Sequence, residues 1–300
     1  FSSAEALTAF GIENMVRLGI RYVWVGVESR KSLFDKTKGI DVKKLIEDMR
    51  NNGIIVLASS ILFLEHHTKE NIQRDIDFAI DLEPDFTQFM QLGPLPQTKL
   101  YNDYREKGLL REDVPYEEWH GQHRIWFRHP EFTPEESEVY LRNAFRKEFE
   151  VLGPSILRST ETLGRALDAP VMQADDPFMK ERMRQHVEKC KSLYLTVTAL
   201  KWLVPTRNMK QQAARIIEMY SKHFGPRNPL NLAASAAIFT LAKVNEFRLK
   251  LGFEAHNPKS MKTMFRLETS AYKQMKGRIE ALLRNRKTWA FLENKEGAFE

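Results

Sequence analysis

Hydrophobic positions recur with two different periods along this chain, and the change of period divides it near residue 110. Ser2 and Glu5 stand at capping-box spacing before a helix expected to run to Gly19. Tyr22 to Val27 is aromatic and β-branched, which predicts a strand covered on both faces. After Asp41, residues Val42, Leu45, Ile46 and Met49 fall at i, i+3, i+4 and i+7, one helix face that Gly53 ends. The nearly apolar run Ile54 to Leu64 predicts a second strand, too short to cross a bilayer. Thr68 reads as an N-cap, Ile72, Ile76, Ala79 and Ile80 as the next helix face, and Phe86 to Leu92 as a third strand. Helix, glycine and strand recurring at roughly 30 to 35 residues predicts βα units with right-handed crossovers. Three strands cannot close a barrel of the common eight-stranded kind, so the expected fold is α/β, a partial parallel βα barrel.

Beyond residue 110 a stretch bearing Pro and Trp reaches Phe132, and only helical periodicity follows. Thr133-Pro134-Glu135-Glu136 combines an N-cap, a proline at N1 and a capping-box glutamate. Gly153-Pro154 interrupts the helix so begun, Val187, Cys190, Tyr194 and Val197 form a stripe that stops near Pro205, and Met209, Ala213, Ile216, Ile217 and Tyr220 form another. Two longer patterns begin near Pro229 and Pro258. The expected organisation is a partial α/β domain at 1–110 and an all-α C-terminal domain at 111–300.

Composition adds limits. Charged residues make up 29% and both signs run along the whole length, which argues against a disordered chain. The formal charge of +6 suits nucleic acid, an anionic membrane surface or an anionic small molecule without choosing among them. A single cysteine, Cys190, excludes an intramolecular disulfide and a cysteine-built metal site, and fits a reducing cytosol. No secretory signal pattern is visible, and the start at Phe1 hints that the natural chain begins earlier.

Ligands of parallel sheets bind at the carboxyl ends of the strands. Here those ends read Gly26-Val27-Glu28-Ser29, Glu65-His66-His67-Thr68 and Gly93-Pro94-Leu95-Pro96-Gln97-Thr98, which brings carboxylate, hydroxyl, imidazole and a rigid proline turn to one rim. His66 and His67 are candidates for substrate contact or proton transfer, against a packing role at the helix entry. His120 and His123 invite a metal reading, but two histidines do not make a site, and no metal ligands are assigned.

Three strings, "YVWVGVES", "GIIVLASSILFLEHHTKENI" and "PDFTQFMQLGPLPQTKLY", resemble in order and separation the second half of the radical S-adenosylmethionine barrel of proteins that carry a cobalamin-binding domain. "HGQHRIWFRHPEFT" resembles the segment that follows that barrel. The resemblance covers about the first 135 residues and is looser beyond. It implies a six-stranded partial barrel and a [4Fe-4S] cluster that cleaves S-adenosylmethionine to a 5′-deoxyadenosyl radical. The three-cysteine motif that holds such a cluster is absent here, and thiolates are needed for it.

By that resemblance Glu28 and Ser29 face the ribose or amino-acid end of S-adenosylmethionine, and Ser59 and Ile61 lie on the strand that lines the adenine. Phe63 stands where the family usually has glycine, so its ring is expected either to block the adenine or to stack on it, stacking being the favoured reading. Gln97 also stands where glycine is usual, beside Thr98 in the turn that shapes the barrel exit, and His66, His67, Gln97 and Thr98 are candidates for substrate contact. The implied function is radical chemistry on an unactivated carbon of a small-molecule or lipid substrate, with the missing N-terminal half supplying the cluster and cobalamin regions. The alternative is a cluster-less scaffold with a basic helical domain. Lys259, Lys262, Arg266, Lys273, Lys276 and Arg278 belong to a C-terminal basic pattern read as a solvated face rather than a nucleic-acid site, with electrostatic contact to an anionic membrane as a weaker reading. Met261, Phe265, Tyr272, Met275 and Ile279 form its apolar stripe.

Overall fold

A computed structural model describes residues 1–27, 39–111, 113–115 and 118–253. The expectations for Glu28 and Ser29, and for the basic pattern beyond Pro258, lie outside the described residues. The chain divides after Asn245, and residues Phe1–Asn245 form the first compact unit.

The first unit contains one parallel sheet in the order β1 (Tyr22–Gly26), β2 (Ile55–Leu62), β3 (Phe86–Gln91). Between these strands lie α3 (Val42–Asn51) and α4 (Ile72–Asp81), after α1 (Ala4–Phe10) and α2 (Ile12–Arg17). The single helix expected from Ser2 to Gly19 is therefore two, because Gly11 takes a φ of 83° that an α-helix cannot contain. Ser3, not Ser2, caps α1, accepting from the Ala6 N–H. Ser2 instead bridges Val25 in parallel and donates its N–H to the Trp24 carbonyl, on the edge of β1 away from β2. At the second helix entry α4 begins at Ile72 with Asn71 at its cap, and Thr68 lies one short turn earlier.

Both expected helix faces are buried: Val42, Leu45, Ile46 and Met49 pack with Val23, Val25, Val56 and Ala58, and Ile72, Ile76, Ala79 and Ile80 with Leu62 and Phe89. After β3 come α5 (Lys99–Glu106) and α6 (Pro134–Leu152), whose Thr133 and Glu136 make the reciprocal capping box. Leu141 and Ala144 of α6 join the cluster around Phe89, so α3, α4 and α6 cover one side of the sheet.

Helices α7 (Ser155–Arg165), α8 (Pro177–Leu203) and α9 (Arg207–Phe224) share a separate apolar cluster. Cys190, Tyr194 and Val197 of α8 meet Met209, Ala213, Ile216, Ile217 and Tyr220 of α9. Gly164 lets α9 approach α7, since a Cβ there would lie 2.5 Å from Met219 Sδ and 2.6 Å from the Tyr220 ring. Polar residues of α7 reach the amino ends of the strands: Thr162 Oγ1 donates to Asp85 Oδ1 at 2.6 Å, and Arg158 Nε donates to the Asp85 carbonyl at 3.0 Å. The chain continues into α10 (Pro229–Lys250). No helix among the described residues is long and apolar enough to cross a membrane.

Candidate functional site

Because side chains alternate along a strand, the parallel register sorts the sheet into two faces. Val23, Val25, Val56, Ala58, Leu62 and Phe89 lie under the helices. On the opposite face the register aligns Trp24 with Leu57 and Phe86, Gly26 with Ser59 and Gln88, and Ile61 with Met90. That face is incompletely covered: Trp24, Leu57, Ile61, Phe86, Gln88 and Met90 are only half-buried. Tyr22 and Phe86 close its amino end, with ring centroids 6.3 Å apart. The Trp24 indole N–H is buried there without a hydrogen-bond partner among the described residues.

The uncovered face is graded in polarity. Aromatic and aliphatic residues fill its lower layer, Ser59 Oγ donates to Gln88 Oε1 at 3.3 Å in the middle, and Ile61 and Met90 flank the carboxyl rim. A hydroxyl and a carboxamide beneath two apolar side chains suit a ligand with a flat ring and polar substituents. Nothing in residue type sets Gln88 apart on β3, which also carries Thr87 and Gln91; its alternation with Phe86 and Met90 is what places it on this face.

Beyond β2 the chain turns sharply. Phe63 has a φ of 61°, in the left-handed region, and this turns its ring into the helix-covered core. There it is 0% exposed and meets Phe132 edge to face with centroids 5.1 Å apart. The expected adenine stack is therefore corrected: the left-handed backbone points the benzyl group away from the uncovered face, where it neither blocks nor stacks on a ligand.

His67 is equally committed. Its Nδ1 accepts from the Leu64 N–H at 3.0 Å, which leaves the proton on Nε2 to donate to Asp75 Oδ2 at 2.8 Å. His66, His67 and Asp75 bring potential ligand atoms within 4.8 Å of one another. A metal would require the Nδ1 lone pair that holds Leu64 or the Nε2 proton that holds Asp75, so the arrangement is accounted for by fixing the turn from β2 into α4. His66 is half-buried beside it, with ring centroids 4.7 Å apart.

The third strand ends in the proline turn. Gln97 is exposed with a φ of 68°, and Thr98 caps α5, accepting from the Tyr101 N–H at 3.1 Å and donating to the Leu95 carbonyl at 2.7 Å. The segment after α5 folds back over this end. Gly121 accepts the Gln91 N–H at 2.7 Å, and a Cβ at Gly121 would lie 2.9 Å from Met90 Cε. Trp126 donates to the Pro94 carbonyl and stacks on Trp119 with centroids 5.7 Å apart. His120 and His123 lie on this segment with rings 6.4 Å apart, His123 near Glu118 at 3.3 Å, and Ser137 rather than either histidine bridges inward.

Cys190 sits far from the rim, within the α7–α9 cluster, where burial pushes its thiol up to about 11. One buried, protonated thiol does not supply the thiolates an iron-sulfur cluster needs. Of the expected site residues, the structure thus gathers Ser59 and Ile61 on one face, sets Phe63 and His67 in the core, and leaves Gln97 and Thr98 at the turn beyond β3. Comparison with protein-family models and with curated proteins gives no match for this chain.

Proposed function

We propose that this chain is the C-terminal part of a radical S-adenosylmethionine enzyme of the cobalamin-binding kind, and that β1 to β3 form part of its barrel wall with the uncovered face turned to the lumen. The observation that carries this reading is backbone conformation at two positions. The resemblance places glycine where this sequence has Phe63 and Gln97, and both residues hold left-handed φ values, 61° and 68°. Among the described residues the only other non-glycine with positive φ is Glu83. A left-handed backbone at a non-glycine residue costs of order 1 kcal/mol, so its recurrence at these two places supports a shared chain path.

The half-covered face supports the same reading. Ser59 and Gln88 would meet the polar groups of S-adenosylmethionine, with Ile61 and Met90 against its adenine. Cluster and cobalamin would be held by residues outside this chain, since its single cysteine cannot ligate the cluster. The Ser2 bridge to Val25 lies where a further parallel strand would join β1. The reaction would be radical chemistry on an unactivated carbon. Co-expressing the chain with the polypeptide encoded directly before it, and titrating the anaerobically reconstituted product with S-adenosylmethionine, tests the proposal: saturable binding is expected, and its absence in a cluster-loaded product counts against it.

A further inference from the structure

At the opposite end of the sheet, below the amino ends of β1 and β2, a small cleft is lined by Arg21, Asn52, Arg182, His186 and Lys189 among apolar residues, with no acidic side chain in its wall among the described residues. Its volume is about 20 Å³, room for one oxygen-sized group rather than a whole ligand. Arg182 is 6% exposed. One of its terminal nitrogens donates to the Ile20 carbonyl at 2.9 Å, whereas its Nε is buried with no hydrogen-bond partner among the described residues.

Buried guanidinium groups are ordinarily paired, because an uncompensated charge loses its hydration for nothing. Two other buried arginines of this chain follow the rule, Arg50 lying 3.4 Å from Asp85 and Arg158 against Glu148. Arg182 does not. Its surroundings add positive charge: burial first and then Arg21 lower its pKa, and burial first, then Arg21, Arg182 and Lys189, depress that of His186. The neutral His186 ring points its Nε2 at the Leu163 carbonyl, 2.8 Å away, and among the described residues Arg21 reaches only the uncharged Gln185 at 3.3 Å.

We propose that this cleft is an oxyanion site, in which one oxygen of a carboxylate or phosphoryl group enters to accept from Arg182 Nε while Arg21 and Lys189 hold the rest of the anion at the mouth. Charge-assisted bonds from guanidinium to such oxygens are among the stronger hydrogen bonds in proteins, and the site supplies them already desolvated. It does not depend on the S-adenosylmethionine reading, since the eight residues of β2 separate it from the rim by roughly 23 Å.

Thermal unfolding of the full chain in sodium phosphate, sodium malonate and sodium chloride at matched ionic strength tests the site. A saturable rise in Tm with at least one oxyanion over chloride is expected. The larger response identifies the source, phosphate for a phosphoryl ligand and malonate for a carboxylate. The exposed pair Arg21→Gln with Lys189→Gln should leave Tm in chloride unchanged and cut the oxyanion response severalfold. Arg182→Met, which removes the uncompensated charge and keeps an unbranched side chain, should unfold in chloride no lower than the parent and lose the response. No saturable shift with either oxyanion, or an undiminished shift in the Arg21→Gln, Lys189→Gln protein, would overturn the proposal.

Discussion

Thr162 and Asp85 join the helical segment to the sheet: the Thr162 hydroxyl donates to Asp85 Oδ1 at 2.6 Å, while Asp85 Oδ2 accepts the Val56 N–H at 2.8 Å. Arg50 completes the set, its Nε 3.0 Å from Thr162 Oγ1 and 3.4 Å from Asp85 Oδ1. One fully buried carboxylate therefore ties α3, α7 and the start of β2 together, although burial pushes that carboxyl above the ordinary range against the pull of Arg50. Asp85→Ala strands the buried Arg50 charge and the Val56 N–H, and should cost about 3 to 5 kcal/mol in urea unfolding. Thr162→Val removes two hydrogen bonds to charged groups, the one donated to Asp85 Oδ1 and the one accepted from Arg50 Nε, and should cost at least the about 1.5 to 3 kcal/mol of a single such bond. Losses below about 1 kcal/mol for both would show that this network does not hold the segments together.

Phe63 sets two effects against each other. Truncating a fully buried phenylalanine costs about 3 to 5 kcal/mol through the cavity it leaves. The φ of 61° adds a backbone penalty that alanine keeps and glycine relieves. Phe63→Gly should therefore be more stable than Phe63→Ala by about 1 kcal/mol, the reverse of the order at ordinary strand or helix positions. Denaturant titration of the two variants decides it, and an alanine variant equal to or above the glycine variant would mean that the left-handed conformation is not maintained.

The periodic elements were legible because their burial follows the spacing of apolar residues: every residue on the expected faces of α3 and α4 is in the core. What escaped was set by polar groups and backbone angles. Arg158 and Thr162 look like surface residues of α7 until Asp85 and Glu148 are seen to satisfy them. Ser59 and Ile61 were readable as one strand face, but their neighbours Gln88 and Met90 come from a strand about 29 residues away and appear only through the register. Phe63 misled because its identity suggests stacking, while its direction depends on a dihedral that residue type does not report. Arg182 stands one turn before His186 on the stripe that continues to Cys190, a run of spacing that would have marked it as buried.

The neutral, buried His186 makes stability depend on pH near neutrality. Burial, reinforced by Arg21, Arg182 and Lys189, lowers its pKa, while the unfolded ring titrates at about 6.5. The unfolded chain thus takes up the proton first. The stabilisation is complete above about pH 6.5 and is lost as pH falls through that value toward the lower pKa of the folded protein. Unfolding free energy should decline from pH 7.5 to 5.5, and His186→Gln should reduce that slope; an identical slope in the variant would assign the effect elsewhere, to His129, whose pKa burial also lowers, or to the buried carboxyls of Asp85 and Glu148, which burial raises.

Ile61 provides the test of the ligand face. In the cluster-loaded protein, Ile61→Ala should weaken S-adenosylmethionine binding by roughly tenfold, about 1.4 kcal/mol, with little effect on cluster content. Calorimetric titration measures this, and an unchanged Kd would remove Ile61 from the adenine contact.

The proposed function has this chain completing a radical S-adenosylmethionine barrel whose cluster is held outside it. Its most direct measurement is formation of 5′-deoxyadenosine from S-adenosylmethionine under a strong reductant, after anaerobic reconstitution with iron and sulfide, by the chain alone and by the chain joined to the polypeptide encoded before it. Product is expected from the joined protein only, because the single buried cysteine cannot ligate a cluster. Product from the chain alone, or none from a joined protein that carries its cluster, would contradict it.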